Sequence, residues 1–150
     1  MAVHRRRPFP DAAKSRGVAY VQAVPVRFAD IDALNHVNHA AILTYAETVR
    51  CDWFEHVLGH ASMADLPFII ASAHVDYKAP IPKAAKVELA MWTSRIGGKS
   101  WSFTYLVRDA ASLAVFAQVE TVQVAYDYKA ARSVEIPADL KAKLAALTAP

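Results

Sequence analysis

The residues best suited to chemistry lie close together, in the segment from Asp32 to His39. Asp32 has a carboxylate that can activate water or attack a carbonyl carbon, and the imidazoles of His36 and His39 follow it. Asn38 is a favoured helix N-cap, and the free N–H groups at a helix N-terminus stabilise negative charge. A carboxylate ahead of such a terminus therefore has the parts that acyl transfer needs, namely an activating group and an oxyanion site.

The same residues also have structural interpretations. Asp30 and Asp32 can cap turns, and on the residues alone capping is the better interpretation for both. His39 can be an ordinary polar residue of the first helical turn. His36 and His39 lie three apart without a third ligand at a metal-binding spacing, so a metal site is not predicted. Cys51 has no clear histidine and acid partners nearby, which predicts an inert thiol.

Apolar periodicity predicts the elements that position this segment. Alternation over Val18 to Phe28 predicts a strand before it, and helical spacing predicts a long helix over 38–58 that stops at Gly59. Four further strands are predicted over 69–78, 87–91, 101–107 and 113–126, with a turn at Gly97–Gly98 and a bulge between Val119 and Val122. Pro137 then opens a short C-terminal helix. One long helix among antiparallel strands predicts an α+β fold with the helix packed on a single sheet.

Composition sets the broad class. The chain has 150 residues, of which 55% are hydrophobic and 21% charged, which indicates one globular domain over 18–150 after a flexible arm over 1–17. One cysteine, no secretory leader and no membrane-length apolar run predict a cytoplasmic protein without a membrane partner. The net charge of +3 suits a phosphate-bearing ligand. A nucleic-acid partner would rest on this charge and on Arg5–Arg7 alone, and no recognised motif supports one.

Three blocks of sequence carry a resemblance to a known family: VRFADID over 26–32, HVNHA over 36–40 and YAETVR over 45–50. They resemble the signature of the 4-hydroxybenzoyl-CoA thioesterase family, in which an Asp-x-Asp loop precedes a helix carrying Tyr-x-Glu-x-x-Arg. Similar stretches follow in order, over 75–80, 96–100, 125–127 and 136–137. The resemblance covers nearly all of 18–147.

This resemblance implies the hotdog fold, an antiparallel β-sheet wrapped around one long central helix. It implies hydrolysis of acyl-CoA or acyl-carrier-protein thioesters by a homodimer or homotetramer, with no cofactor apart from the coenzyme A of the substrate. It places the catalytic carboxylate on Asp32. In the Tol-Pal-associated branch a functional histidine stands at the position of His39, where other members have asparagine. Asn35 occupies a position where the family usually has glycine.

Glu47 and Arg50 lie three apart on the predicted helix, so an ion pair is the plain interpretation. Since hotdog sites form at dimer interfaces, the resemblance also allows Glu47 to face the active site of a partner subunit.

The stretch Gly98-Lys99-Ser100 imitates the end of a phosphate-binding loop. Thr93 stands where that motif needs its first glycine, and a strand rather than a helix follows, so the motif is rejected. The resemblance makes Lys99 and Ser100 candidates for contact with coenzyme A, with Lys78 and Arg132 as weaker ones. The aromatic residues Trp53, Phe54, Phe68 and Trp101 fit either an acyl pocket or the core, and the core is favoured.

Three other functions remain open on the sequence. A hotdog dehydratase of 3-hydroxyacyl thioesters would also pair an acid with a histidine, as Asp32 and His39 can. A hotdog module could bind acyl-CoA or a protein without turnover. A nucleic-acid binder has the least support.

Overall fold

The computed structural model describes residues 19–58 and 67–149, so the arm predicted over 1–17 and the helix stop at Gly59 lie outside the described residues. Two α-helices, six β-strands and one short 3-10 helix (Phe28–Asp30) form the described chain. The helices are α1 (Ala41–Leu58) and α2 (Ala138–Ala146). The strands are β1 (Tyr20–Ala23), β2 (Phe68–Tyr77), β3 (Val87–Ile96), β4 (Ser100–Asp109), β5 (Val115–Asp127) and β6 (Arg132–Ser133).

The strands form a single antiparallel sheet in the order β1-β3-β4-β5-β2, with β6 paired to the end of β5. Consecutive strands β3, β4 and β5 pair as neighbours, and the turn predicted at Gly97–Gly98 joins the first two. Because β2 precedes β3 in sequence but pairs with β5, β2 forms one edge of the sheet and β1 the other. This antiparallel sheet with one long helix confirms the predicted hotdog architecture.

The buried face of α1 packs on β3 and β5. Its buried residues recur three or four apart, as the helical pattern predicts: Ile42, Tyr45, Ala46, Val49, Arg50, Trp53 and Phe54. Aromatic rings from α1 and the sheet pack against each other, and Phe54 stacks on Phe68 at a centroid distance of 4.8 Å. Trp101 also lies in this cluster. These aromatic residues belong to the core, which the sequence favoured over an acyl pocket. Burying one such side chain contributes about 1.5–3 kcal/mol to stability.

The first predicted strand and the helix start differ from the structure. β1 ends at Ala23, and Pro25 follows it. Phe28, expected on the inner face, lies in the 3-10 helix with 97% of its side chain exposed. The helix begins at Ala41 instead of Asn38, because the Asn38 side chain and carbonyl oxygen accept bonds from the next N–H groups in a turn.

The bulge predicted between Val119 and Val122 is wrong. The core-facing side of β5 continues without a shift through Thr121 and Gln123, which are polar but buried. Their side chains contact each other, and Thr121 also bonds the Tyr105 hydroxyl at 3.3 Å. The sequence interpretation assumed that an inward position must be apolar, whereas mutual hydrogen bonds satisfy these two residues. A register shift does occur on the neighbouring strand β2, between Ile70 and Ser72.

The ion pair predicted between Glu47 and Arg50 is also wrong. Glu47 is exposed, whereas Arg50 is buried with 5% of its surface accessible. An Arg50 guanidinium N–H donates to the Tyr105 hydroxyl at 3.2 Å, and the guanidinium carbon lies 5.9 Å from the centre of the Phe68 ring. The Arg50 Nε has no hydrogen-bond partner in the described chain. Arg50 thus carries a buried charge that a phenol and an aromatic ring accommodate.

Neither α1 nor α2, the two helices of the described ranges, combines the length and apolar character that a bilayer-spanning helix requires.

We predict that Tyr105→Phe lowers the free energy of unfolding by about 1–3 kcal/mol, because it removes an acceptor from a buried cation. Urea denaturation measures this change. The double variant Tyr105→Phe/Arg50→Met, which removes the cation as well, should be less destabilised than Tyr105→Phe alone. Equal or greater destabilisation of the double variant would contradict the assigned coupling.

Candidate active site

Asp30 anchors the segment that leads into the site. It is 4% exposed and accepts a hydrogen bond from the Arg27 backbone N–H at 2.9 Å. The Arg27 guanidinium contacts the same carboxylate at 2.8 Å, and the Tyr45 hydroxyl of α1 donates to it at 2.8 Å. The Arg27 side chain is the main cause that lowers the pKa of Asp30 to about 2. Asp30 therefore has the structural, capping role that the sequence favoured.

The loop after Asp30 forms a tight turn. The Asp32 N–H donates to the His36 carbonyl at 2.9 Å, and the Asn35 N–H donates to the Asp32 carbonyl at 3.0 Å. Asn35 adopts a φ of 65°, in the left-handed region that glycine enters freely and asparagine tolerates better than most residues. The turn conformation that favours glycine at this position is thus formed here by asparagine.

The two carboxylate oxygens of Asp32 have different environments. Oδ1 accepts hydrogen bonds from the backbone N–H groups of Leu34 at 2.9 Å and His36 at 3.4 Å. Oδ2 has no hydrogen-bond partner among residues 19–58 and 67–149. The turn therefore fixes the carboxylate through one oxygen and leaves the other oxygen available to water or substrate.

At the start of α1, some backbone groups are hydrogen-bonded and one N–H is not. The Asn38 N–H donates to the Asp30 carbonyl at 2.7 Å, and the Asn38 carbonyl accepts from the Ala41 N–H at 3.0 Å. The Asn38 Oδ1 accepts from the Ala40 N–H at 2.9 Å. In the part of the chain that the structure describes, the N–H of His39 has no acceptor. This group is the free donor at the helix start.

A cavity of about 230 Å³ joins these groups. Polar and apolar residues line it: Asp32, Leu34, His36, Val37, His39, Ile42, Tyr77, Ala79, Pro80, Ile81, Phe116 and Ala117. The structure thus brings Asp32 and His39 to one cavity, with Asn38 bonded to the turn beside it. A mostly apolar wall with a few polar groups is the usual form of a small-molecule site.

The remaining predicted site residues lie elsewhere. Lys78 follows β2 directly beside the cavity, where its N–H donates to the Phe116 carbonyl at 2.8 Å. Lys99 lies in the turn before β4, its carbonyl bonded to the Ala125 N–H at 2.8 Å, with Ser100 next to it. Arg132 lies on β6, which pairs with the same end of β5.

Within one chain, Lys78 lies near the start of β5, whereas Lys99 and Arg132 lie near its end. Phe116 stands near its start and Ala125 near its end, about 30 Å apart at the usual rise of a strand. Glu47 is exposed on α1 and does not line the cavity of its own chain. Ser100 accepts a hydrogen bond from the Arg95 guanidinium at 3.1 Å. The substrate-binding roles of Lys99, Ser100 and Arg132, and the role of Glu47, stay predictions.

The sequence interpretation did not single out three cavity residues: Tyr77, Ile81 and Phe116. Tyr77 ends β2 within the block VDYKAP that carries part of the family resemblance, so a signal existed for it. Ile81 accepts the Val37 N–H on its carbonyl at 2.9 Å. This contact between distant segments has no local sequence signal. Within residues 19–58 and 67–149, no three His, Cys, Asp or Glu side chains are grouped to hold a metal ion.

Comparison with known proteins identifies the family. The family model for the thioesterase-like superfamily matches residues 26–144. The chain belongs to this superfamily. The match contains the whole cavity and both helices except the last two residues of α2. The enzyme class expected from the sequence, a thioester hydrolase, is confirmed at this level.

Similarity to individual proteins supports the assignment. The chain is 22% identical to the long-chain acyl-CoA thioesterase FadM of Escherichia coli K12, over 81% of this chain and 93% of FadM. It is 25% identical to the protein YsmA of Bacillus subtilis 168 over 59% of this chain, and the match spans only 60% of YsmA. A thioesterase from Thermus thermophilus, solved with coenzyme A and zinc, is 28% identical, with a TM-score of 0.76 over 85% of this chain and 92% of that one.

We predict that Asp30→Asn lowers the stability at neutral pH by about 1–2 kcal/mol, a value reduced for the exposure of Arg27. Because the pKa of Asp30 falls from 3.8 to about 2 on folding, its ionised form stabilises the fold above pH 4. This contribution is lost as the pH falls from 4 towards 2. Urea midpoints measured from pH 7 to pH 2 should show the gap between wild type and Asp30→Asn closing over that range. Glu55→Gln, at an exposed carboxylate, is the control and should show no such gap.

We further predict that Asn35→Gly has the stability and the activity of the wild-type protein. Asn35→Val should lower the free energy of unfolding by about 1–2 kcal/mol. A β-branched side chain is strained at a φ of 65°. Thermal denaturation of both variants checks this prediction. If Asn35→Val proved as stable as Asn35→Gly, the left-handed turn would not be required.

Proposed function

We propose that this protein hydrolyses acyl-CoA thioesters to a free acid and coenzyme A. The observation that carries the proposal is the divided environment of Asp32, which lines the cavity: its Oδ1 is fixed by the turn, while its Oδ2 has no hydrogen-bond partner in the described chain. His39 lines the same cavity, and its N–H has no acceptor among the described residues. A fixed carboxylate and a free backbone donor in one cavity are the two groups that thioester hydrolysis requires.

On this proposal, a thioester carbonyl carbon lies between Asp32 and the start of α1. Oδ2 of Asp32 removes a proton from water, the water oxygen bonds to the carbonyl carbon, and the N–H of His39 stabilises the oxyanion. The C–S bond then breaks, and the coenzyme A thiolate takes the proton. The other course is direct attack by Oδ2 on the carbonyl carbon, which breaks the C–S bond, expels the coenzyme A thiolate and forms a mixed anhydride. One water then cleaves the anhydride to the free acid and regenerated Asp32, and its remaining proton goes to the thiolate. Both courses need the same free oxygen, and the His39 side chain orients the water or the carbonyl in either one.

The choice of coenzyme A as carrier has two supports. The similar thioesterase from Thermus thermophilus was solved with coenzyme A, and FadM acts on long-chain acyl-CoA. Lys78 beside the cavity supplies a cation for the phosphates. An acyl-carrier-protein substrate, which carries the same thioester arm, remains the alternative carrier.

The proposed active form is a homodimer or homotetramer. β2 is an edge strand on which residues 70–74 are exposed, including the large apolar side chain of Ile70. An edge strand of ten residues with exposed side chains is suited to pairing with another chain. Because Lys99, Ser100 and Arg132 lie about 30 Å along β5 from the cavity of their own chain, these residues can contribute to a site only across such an assembly.

We predict that Asp32→Asn lowers kcat on acyl-CoA by about 10²–10⁴-fold while the fold is retained, because the activating carboxylate is lost. Free thiol release from a panel of short, long, branched and aromatic acyl-CoAs measures the activity. Asp109→Asn is the matched control, since Asp109 also accepts turn N–H groups on Oδ1 but does not line the cavity.

Undiminished thiol release by Asp32→Asn would contradict the role proposed for Asp32. Coenzyme A binding without release from any substrate would indicate a non-catalytic module, and hydration of an enoyl-CoA would indicate a dehydratase.

A further inference from the structure

The peptide unit between His39 and Ala40 is held at both of its polar atoms by side chains. Its carbonyl oxygen accepts a hydrogen bond from the Tyr77 hydroxyl at 3.0 Å and a longer one from the Ile42 N–H at 3.4 Å. Its N–H donates to the Asn38 Oδ1 at 2.9 Å. One side-chain anchor thus comes from the end of β2, and the other comes from the loop itself. This double anchoring fixes the plane of the peptide.

The preceding peptide unit, between Asn38 and His39, is held at one atom only. Its carbonyl oxygen accepts the Ala41 N–H at 3.0 Å, while its N–H has no acceptor in the described chain and belongs to His39, which lines the cavity. Of the four polar groups in the two peptide units that flank the His39 Cα, three are therefore hydrogen-bonded. The direction of the fourth depends on the backbone angles of His39, which the anchors restrict. Donors that are oriented before the reaction stabilise an oxyanion without the cost of reorganisation.

Tyr77 also contacts the His39 side chain. The two rings meet edge to face, with their centroids 6.2 Å apart and an angle of 82° between their planes. Tyr77 lines the cavity, and 52% of its surface is exposed, so it is not a core residue whose loss would collapse the fold. Its single hydroxyl proton is donated to the His39 carbonyl, which leaves no proton for a substrate.

We propose that Tyr77 is a positioning residue that fixes the His39 N–H and imidazole through the hydrogen bond to the His39 carbonyl and the ring contact. This inference rests on the proposed function, since it assigns His39 to the oxyanion. Tyr77 acts through the backbone and does not react. Its removal should therefore slow the chemical step without weakening substrate binding, because a small displacement of a reacting geometry lowers the rate steeply.

The test compares Tyr77→Phe with wild type on the best acyl-CoA of the panel. Tyr77→Phe keeps the ring and removes the hydroxyl, and we expect kcat to fall by roughly tenfold with KM within about twofold of wild type. Tyr128→Phe is the matched control. The Tyr128 hydroxyl also donates to a backbone carbonyl, that of Phe68 at 2.9 Å, but Tyr128 does not line the cavity.

A second measurement does not depend on activity. Amide hydrogen exchange followed by NMR reports how well the Ala40 N–H is held, and we expect this exchange to become about tenfold faster in Tyr77→Phe and unchanged in Tyr128→Phe. Asn38→Ala removes the other anchor of the same peptide. Since both variants release one peptide unit, the double variant should lose less activity than the product of the two single losses.

The outcomes separate this inference from the proposed function. Wild-type protein that releases no thiol from any acyl-CoA overturns the proposed function, and unchanged Ala40 exchange in Tyr77→Phe overturns the anchoring by itself. In an active enzyme, wild-type kcat for Tyr77→Phe, or a raised KM with unchanged kcat, overturns the positioning role. Strictly multiplicative losses in the double variant also overturn it, because the two anchors would then act independently.

Discussion

The buried carboxylate of Asp30 is the interaction on which the candidate site depends. Its oxygens accept hydrogen bonds from Arg27, at the end of the first extended segment, and from Tyr45, on the buried face of α1. Its backbone carbonyl accepts the Asn38 N–H at 2.7 Å. One residue thus ties together the chain entering the loop, the helix and the chain leaving the loop. A buried carboxylate is tolerated only with such partners, so the geometry of the loop and the ionisation of Asp30 depend on each other.

Asp30 and Asp32 show how the same residue type takes different roles two positions apart. Asp30 is buried, and an exposed guanidinium lowers its pKa to about 2, which commits its oxygens to the fold. Asp32 is only partly buried and uses a single oxygen in the turn. The difference arises because the 3-10 helix turns Asp30 towards Tyr45, whereas the following tight turn directs Asp32 to the cavity. Burial, hydrogen bonds and direction decide which carboxylate is available for chemistry.

Periodicity predicted most of the fold because most of its elements bury an apolar face. The buried residues of α1 and the strands around Trp101 and Leu89 follow their patterns closely. Prediction failed where polar residues occupy inward positions, as at Thr121 and Arg50, since their partners come from other elements. The family signature predicts roles for Asp32 and His39, but the contact that distinguishes the two oxygens of Asp32 depends on the path of the backbone. Tyr77 lies in a block of the family resemblance, whereas Ile81 reaches the site through a contact with Val37 that no local pattern encodes.

The strand order connects the site with the edge of the sheet. Because β2 crosses to pair with β5, its end delivers Tyr77 to the cavity, while its other backbone edge has no strand partner in the described chain. The strand that carries the proposed positioning hydroxyl is therefore also the strand through which we propose that a second copy pairs. A partner strand paired along β2 would restrain its backbone and so hold the Tyr77 hydroxyl against the His39 carbonyl. On this argument, assembly and preorganisation of the oxyanion donor are consequences of one topological feature.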